Sequence, residues 1–371
     1  MPSSRPPSTR RALFAAAALV LVIITDPSHA PSARAQQGQA ASPAASSASY
    51  LLVLNKAEAS VTIIDPVKME AVGRVAVGEG PHEVVTSADG RTAYVSNYGG
   101  QKPGNSISII DLAARKETKR VDLGALWRPH GLVEREGKIY FTAEVNRAVA
   151  RYDPASDKVD WVMGLGEKGT HMLVFHPTRK TIYTANIGSD TASVIELDKP
   201  SQPGPPPRVT HVPVGKQPEA IDISPDGREV WVGHNADGGV SIIDTETQKV
   251  KETIKVGGMP IRVKFTPDGK RVLVSSPPTG ELTILDAATR KELKRIKLGT
   301  PPPQGEPAPT GQIPIGVLVA PDSRSAFVAL TVVVGGQPAA GKVARINLES
   351  MEVAGSVETG QGPDGLGWAG K

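Results

Sequence analysis

Cysteine is missing from the 371-residue chain, which excludes a disulfide framework and thiolate chemistry. A large excess of one charge is missing too. The formal net charge is +4; residues 1–35, with four Arg and one Asp, carry +3 of it and leave +1 on the remainder. So small an excess gives no bulk positive field, and nucleic acid is not expected as a partner. The N-terminal apolar run, Ala12–Thr25, is too short to cross a bilayer comfortably.

What is present at the N-terminus has the parts of an export signal. Arg5, Arg10 and Arg11 form a basic region, Ala12–Thr25 an apolar one, and Ala33-Arg34-Ala35 a small-x-small cleavage pattern. Residues 1–35 are therefore expected to be removed near Ala35, leaving a periplasmic or secreted chain without a transmembrane segment. Arg10-Arg11 leaves both the general and the twin-arginine route open. Residues 36–48, rich in Ala, Ser, Gln and Pro, read as a flexible leader.

From residue 49 to 371 one text recurs, most plainly over Val256–Gly299. Short β-rich runs alternate apolar and polar residues and are separated by Asp-Gly and similar turns, the pattern of a four-stranded antiparallel meander. The slot opening each unit is filled by Pro81, Pro129, Thr170, Pro218, Pro260, Pro314 and Pro363, at spacings of 48, 41, 48, 42, 54 and 49 residues. These fit propeller blades of about 40–45 residues with loop insertions. The insertions fall at Gln101–Asn105, 200–207, 300–312 and 334–341 and are expected to be loops. The last unit has room for one strand, and Tyr50–Val77 supplies the other three. The expected fold is all-β: a seven-bladed β-propeller of four-stranded antiparallel blades, closed by the C-terminal strand joining the N-terminal strands. A monomer is expected.

Ala93-Tyr-Val-Ser-Asn, Ile182-Tyr-Thr-Ala-Asn and Val230-Trp-Val-Gly-His, with Val240-Ser-Ile-Ile-Asp and the Gly-x-x-Pro elements, resemble the repeat of YVTN-type β-propellers. Arg128-Pro-His-Gly-Leu with Ile139-Tyr-Phe-Thr-Ala-Glu is similar to a blade of virginiamycin B lyase-type propellers. Gly80-Pro-His with Ser96-Asn-Tyr-Gly is similar to seven-bladed lactonases. The resemblance implies the fold; the family includes exported proteins of unassigned role, and related propellers include lactonases, ester-cleaving lyases and electron-transfer subunits.

Strand polarity puts the residue after each anchor and the residue ending each second strand at one mouth of the ring. The first set reads His82, His130, His171, Glu219, Ile261, Ile315 and Asp364; the second reads Asn97, Glu144, Asn186, His234, Ser276, Leu330 and Asn55. Four of the seven histidines occupy these fourteen slots, so one half of the mouth is expected to be polar and the other apolar, with the His row open to solvent. Imidazole and carboxylate are ligands for divalent transition metals. His82, His130 and His171 are the candidate metal ligands, and Glu144, Glu219 and His234 the candidate catalytic proton carriers. Asn97, Asn186, Trp127 and Arg128 are candidates for ligand binding. The competing role for Asn and His is to satisfy backbone groups at blade ends, and for Trp127 and Arg128 to pack against the next blade.

Gly164-Leu-Gly-Glu-Lys-Gly-Thr has the look of a phosphate loop but precedes no helical pattern and reads as a loop between blades. The basic runs at Arg115–Arg120 and Lys291–Lys297 read as outer-strand lysines that discourage edge pairing. The functional expectation is an exported module that binds a small-molecule or protein ligand at the channel mouth, with a divalent metal ion as possible cofactor. A metal-dependent lactonase, esterase or lyase using the same mouth is the first alternative. A periplasmic redox partner, resembling the amine dehydrogenase large subunit or a haem d1 propeller, is the second.

Overall fold

The structure, a computed structural model, describes residues 49–199, 207–300 and 311–370. The expected signal and leader lie outside these residues, as do most of the insertions at 200–207 and 300–312. The repeat forms seven four-stranded antiparallel sheets, a seven-bladed β-propeller. The innermost strands of blades one to seven are Pro81–Thr86, Pro129–Arg135, Thr170–Phe175, Pro218–Ile223, Arg262–Phe265, Gly311–Val319 and Pro363–Ala369. Pro363–Ala369 pairs with Tyr50–Asn55, Leu51 opposite Trp368, and so completes the sheet begun at the other end of the chain. This closure leaves no inner strand unpaired. Among the described residues no helix is long and apolar enough to cross a membrane.

The turns follow from their residues. In Ser87-Ala-Asp-Gly90, Ser224-Pro-Asp-Gly227 and Thr266-Pro-Asp-Gly269 the hydroxyl bonds the Asp carboxylate at 2.6 Å, and each Gly is left-handed, a conformation that costs Gly little. Blade two, which departs from this text at Arg135-Glu-Gly-Lys, makes a two-residue turn with Glu136 and Gly137 both left-handed. The Asp that ends several third strands caps the next turn; Asp65 and Asp286 each accept two backbone N–H groups. Two expected loops are strand instead. Ser325–Val334 and Gln337–Asn347 run through the 334–341 insertion with Gly335 and Gly336 as the turn, and Pro103–Asp111 takes up part of 101–105.

Packing is organised by blade pair. Seven apolar clusters each span one of the seven blade interfaces, as where Leu52, Val61 and Val75 of blade seven meet Val84, Val95 and Ile110 of blade one. Second strands are therefore buried on both faces (Thr181–Asn186 throughout), whereas outer strands alternate with solvent, as in Lys158–Gly164. Burying one such aliphatic side chain is worth about 1.5–3 kcal/mol, so each interface is a small core. Near the axis the blades approach backbone to backbone. A Cβ on Gly365 would run into the His82 carbonyl oxygen, and one on Gly316 into that of Asp364.

Gly365→Ala is expected to lower the unfolding midpoint by the few degrees that about 1–3 kcal/mol of overpacking represents. Gly164→Ala, with open space around it, should leave the midpoint in place; equal midpoints by calorimetry would contradict this close approach.

Candidate functional site

The residues after the anchors converge on the axis in blades seven, one, two, three and four. Asp364 Oδ2 lies 3.8 Å from His82 Nε2, and His82 Nε2 lies 3.1 Å from His130 Nε2. The His130 and His171 rings are 3.5 Å apart between centroids, and His171 Nε2 stands 3.8 Å from Glu219 Oε1. The row does not open to solvent as its sequence position suggested: His82, His130 and His171 are 8%, 0% and 7% exposed. Side chains from the next layer cover them.

One covering layer comes from the second residue after the anchor. In blade one the pairing slips between Pro81 and Val84, and such a bulge re-aims side chains; His82 and Glu83 both reach the axis. Blade five contributes Arg262, 4% exposed on its side chain. Its Nη2 donates to Glu83 Oε1 at 2.8 Å and lies 3.3 Å from Asp364 Oδ1, its Nη1 lies 3.9 Å from Glu219, and it also donates to the Ile261 carbonyl. The half of the mouth expected to be apolar from Ile261, Ile315 and Leu330 is therefore crossed by a buried guanidinium. Strict alternation hid it, because Arg262 reads as the outward-facing neighbour of Ile261.

The other covering layer comes, in four blades, from the residue that follows the anchor's partner on the second strand. The second strand of blade two is Lys138–Ala143 and Ala143 pairs with Pro129, so Glu144 lies one residue beyond the strand end assigned to it. There Glu144 Oε2 accepts the Tyr98 hydroxyl at 2.9 Å and lies 3.5 Å from His171 Nδ1. Tyr98, Asn235 and Lys56 hold the same position in blades one, four and seven. Tyr98 packs edge-on against His82 and His130, Asn235 donates to Glu219, and Lys56 lies 3.4 Å from Asp364. Arg128 stacks over Tyr98 at 4.5 Å. Trp127 stands beside it at the rim, 39% exposed, with its backbone N–H on Asn146.

The true strand ends turn elsewhere. Asn97 bonds Ser106 and Ser108, and Asn186 bonds Thr191 and Ser193, each on its own blade's third strand. His234 faces Asp237 through Nδ1 at 3.1 Å and accepts the Gly215 N–H at Nε2. One step along a strand reverses the side chain, so these three are blade-internal groups set apart from the axial row.

Burial opposes every charge here, and the partners decide the outcome. Burial, and then His171, His82, Arg262 and Lys56, push His130 well below the usual imidazole range, so it is neutral. His171 goes the other way: burial works against its charge, but Glu144 and Glu219 outweigh it and raise its pKa. Against the same burial cost, Arg262 and His82 hold Glu83 below the usual carboxylate range, and His82, Lys56 and Arg262 do so for Asp364. Glu144 and Glu219 are lowered chiefly by His171. Below this network a cavity of about 550 Å³ runs along the axis toward the hairpin turns, lined by Glu83, Arg262 and apolar residues such as Leu132, Met172 and Leu366.

The donor set suits a metal ion. His82, Glu83 and His130 each offer a ligand atom, all within 4.8 Å of one another. Nδ1 of His82 and of His130 have no hydrogen-bond partner, a rare condition for buried polar atoms, whereas their Nε2 atoms face each other and both His171 nitrogens face carboxylates. Nitrogens 3.1 Å apart can both sit about 2.1 Å from one ion at close to a right angle.

These features define a closed seven-bladed propeller with a buried His–carboxylate–Arg network at one end of its channel. The family model of YNCE-like beta-propellers matches residues 118–306, just over half of the chain, and the protein belongs to that family. No curated protein matches the sequence. Among solved structures, a functionally unknown protein from Desulfotomaculum acetoxidans DSM 771 is similar with a TM-score of 0.67 at 12% identity, over 86% of this chain and 99% of that one. Kuenenia stuttgartiensis hydrazine synthase is similar with a TM-score of 0.61 at 21% identity, over 77% and 92%. Dihydro-heme d1 dehydrogenase NirN in complex with DHE has a TM-score of 0.57 at 15% identity, over 86% and 75%. At these identities the likeness is one of fold.

Arg262→Met leaves the buried Glu83 without a fixed cation and Asp364 with Lys56 alone, a change that costs about 3–5 kcal/mol near neutral pH. In the native chain these carboxylates have depressed pKa values, so their stabilisation is present above the unfolded values and lost as pH falls. In the variant their pKa values rise, and acidification toward about pH 5 should narrow the gap in unfolding midpoint. A gap that stays constant with pH would show that Arg262 acts through packing alone.

Proposed function

We propose that this protein is an exported binding propeller that holds a divalent transition-metal ion at the axial mouth, with His82, His130 and Glu83 as ligands and Asp364 beside them. The single observation that carries the reading is the convergence at the axis of one ligand atom each from His82, Glu83 and His130, all within 4.8 Å of one another. Two imidazoles and a carboxylate form a donor set suited to first-row metals. His171, held between Glu144 and Glu219, closes the row on the side of blade three. The basic, apolar and Ala-x-Ala segments at the N-terminus support export to the periplasm or beyond.

A second reading, metal-dependent cleavage of an ester or lactone, is favoured by Glu144. Its side chain is 23% exposed and sits between Tyr98 and His171, where it could exchange a proton with a bound molecule. The ion would polarise the carbonyl.

Metal analysis of the full chain, produced without a histidine tag, is expected to find about one equivalent of a first-row metal, by the one-site reading of this donor set. His130→Ala and His82→Ala should lose it. Asn186→Ala should keep it, although removing the partner of the buried Thr184 and Ser193 hydroxyls costs about 1–3 kcal/mol of stability. Protein that takes up no Zn, Mn, Fe or Cu, and whose unfolding midpoint responds to none of them, would sink this reading.

A further inference from the structure

Resting on the metal reading, we infer that the ion at His82 and His130 binds an exogenous small carboxylate, which Lys56 and Arg128 hold from the solvent side. Both cations come over the Tyr98 ring, at 5.6 Å and 4.5 Å, and Tyr98 packs against both His82 and His130. They therefore flank the ring that covers the two imidazoles, Lys56 also pairing at 3.4 Å with Asp364 beside His82, and neither lines the axial cavity. The Lys56 side chain is 38% exposed, open to an incoming ligand.

The backbone at Arg128 points the same way. The residue just before the anchor is left-handed in five blades: Gly80, Arg128, Gly169, Gln217 and Gly362. Glycine fills three of these places without strain, whereas a non-glycine residue pays for the conformation. Arg128 accepts that cost at the position from which its guanidinium reaches Tyr98, and its Nη2 has a single long contact, 3.4 Å, to the Gly100 carbonyl. A planar fork so placed is suited to a carboxylate.

Charge balance gives the sign of the ligand. Four carboxylates, Glu83, Glu144, Glu219 and Asp364, face three fixed cations, Arg262, Lys56 and Arg128, and the His171 ring held between Glu144 and Glu219. A divalent ion added to that near-balance leaves positive charge in excess, which an anion offsets. Coordination by two imidazoles and one carboxylate leaves positions free for it.

The test uses the full chain loaded with Co(II), whose visible bands report ligand exchange, titrated with acetate and with azide. The expected result is a saturable change of the cobalt bands with both anions. Arg128→Gly, the residue other blades use at this position, and Lys56→Ala should retain the cobalt bands and weaken acetate binding about tenfold each, as loss of one charge-assisted contact does. Cobalt bands that do not respond to either anion overturn the carboxylate inference and leave the metal reading standing. Acetate affinity in both variants equal to that of the native chain overturns the Lys56–Arg128 assignment. Absence of cobalt bands before any anion is added overturns the metal reading and the inference with it.

Discussion

Three carboxylates lie at the axis of this propeller because one guanidinium lies there with them. Arg262 is almost fully buried and touches or approaches Glu83, Asp364 and Glu219. An unpaired buried carboxylate would cost several kcal/mol and take up a proton instead. With Arg262 in place, and Lys56 and His171 completing the pairing at either end, the carboxylates stay charged. The same cation, with burial and the other imidazoles, keeps His130 neutral and hence available as a donor of its lone pair. Blade five, which reads as the plainest copy of the repeat, supplies the one residue on which the charged centre depends.

The surrounding architecture makes this centre possible at low cost to the fold. Stability is distributed over seven interfaces, each with its own apolar cluster, so the axial residues are relieved of packing duty. Hydroxyls tie neighbouring inner strands together: Ser96 of blade one donates to the His130 carbonyl at 2.9 Å, and Thr142 of blade two to that of His171 at 2.5 Å. The backbones that carry the imidazoles are thereby fixed from the adjacent blade. A site on rigid strands, supported from behind by hydrogen bonds, is preorganised for a ligand.

Much of this was legible in the sequence, and the limits have physical causes. Seven blades and their closure followed from the anchors and from two complementary end fragments, because turn chemistry and period-2 alternation are local properties. The row His82, His130, His171 and Glu219 was legible because it occupies one repeat position. Arg262 and Glu83 were not, since the pairing slips just after the anchor, between Pro81 and Val84 in blade one and with Ile261 and Arg262 both opposite Ser275 in blade five, and lets the second residue after the anchor face the axis as well. Tyr98, Lys56 and Asn235 escaped for a similar reason: strand ends fixed only to within a residue exchange an axial side chain for a blade-internal one. That single step separates Glu144, which reaches His171, from Asn97, Asn186 and His234, which bond within their own blades. Comparing each second-strand end with its hydroxyl-bearing third strand (Ser106 and Ser108, Thr191 and Ser193) would have revealed the difference.

The unit that acts is a chain of groups running around one end of the channel, Asp364, His82, His130, His171 and Glu219, roofed by Tyr98, Lys56, Arg128 and Glu144. Two of its imidazoles and Glu83 bring ligand atoms within 4.8 Å of one another, the arrangement on which the proposed metal site rests. X-ray absorption spectroscopy of the zinc-loaded full chain addresses this most directly. The account predicts a first coordination shell with two imidazole nitrogens and at least one oxygen, reduced to one imidazole in His130→Ala. A shell of oxygen ligands alone, or one unchanged by that substitution, would contradict it.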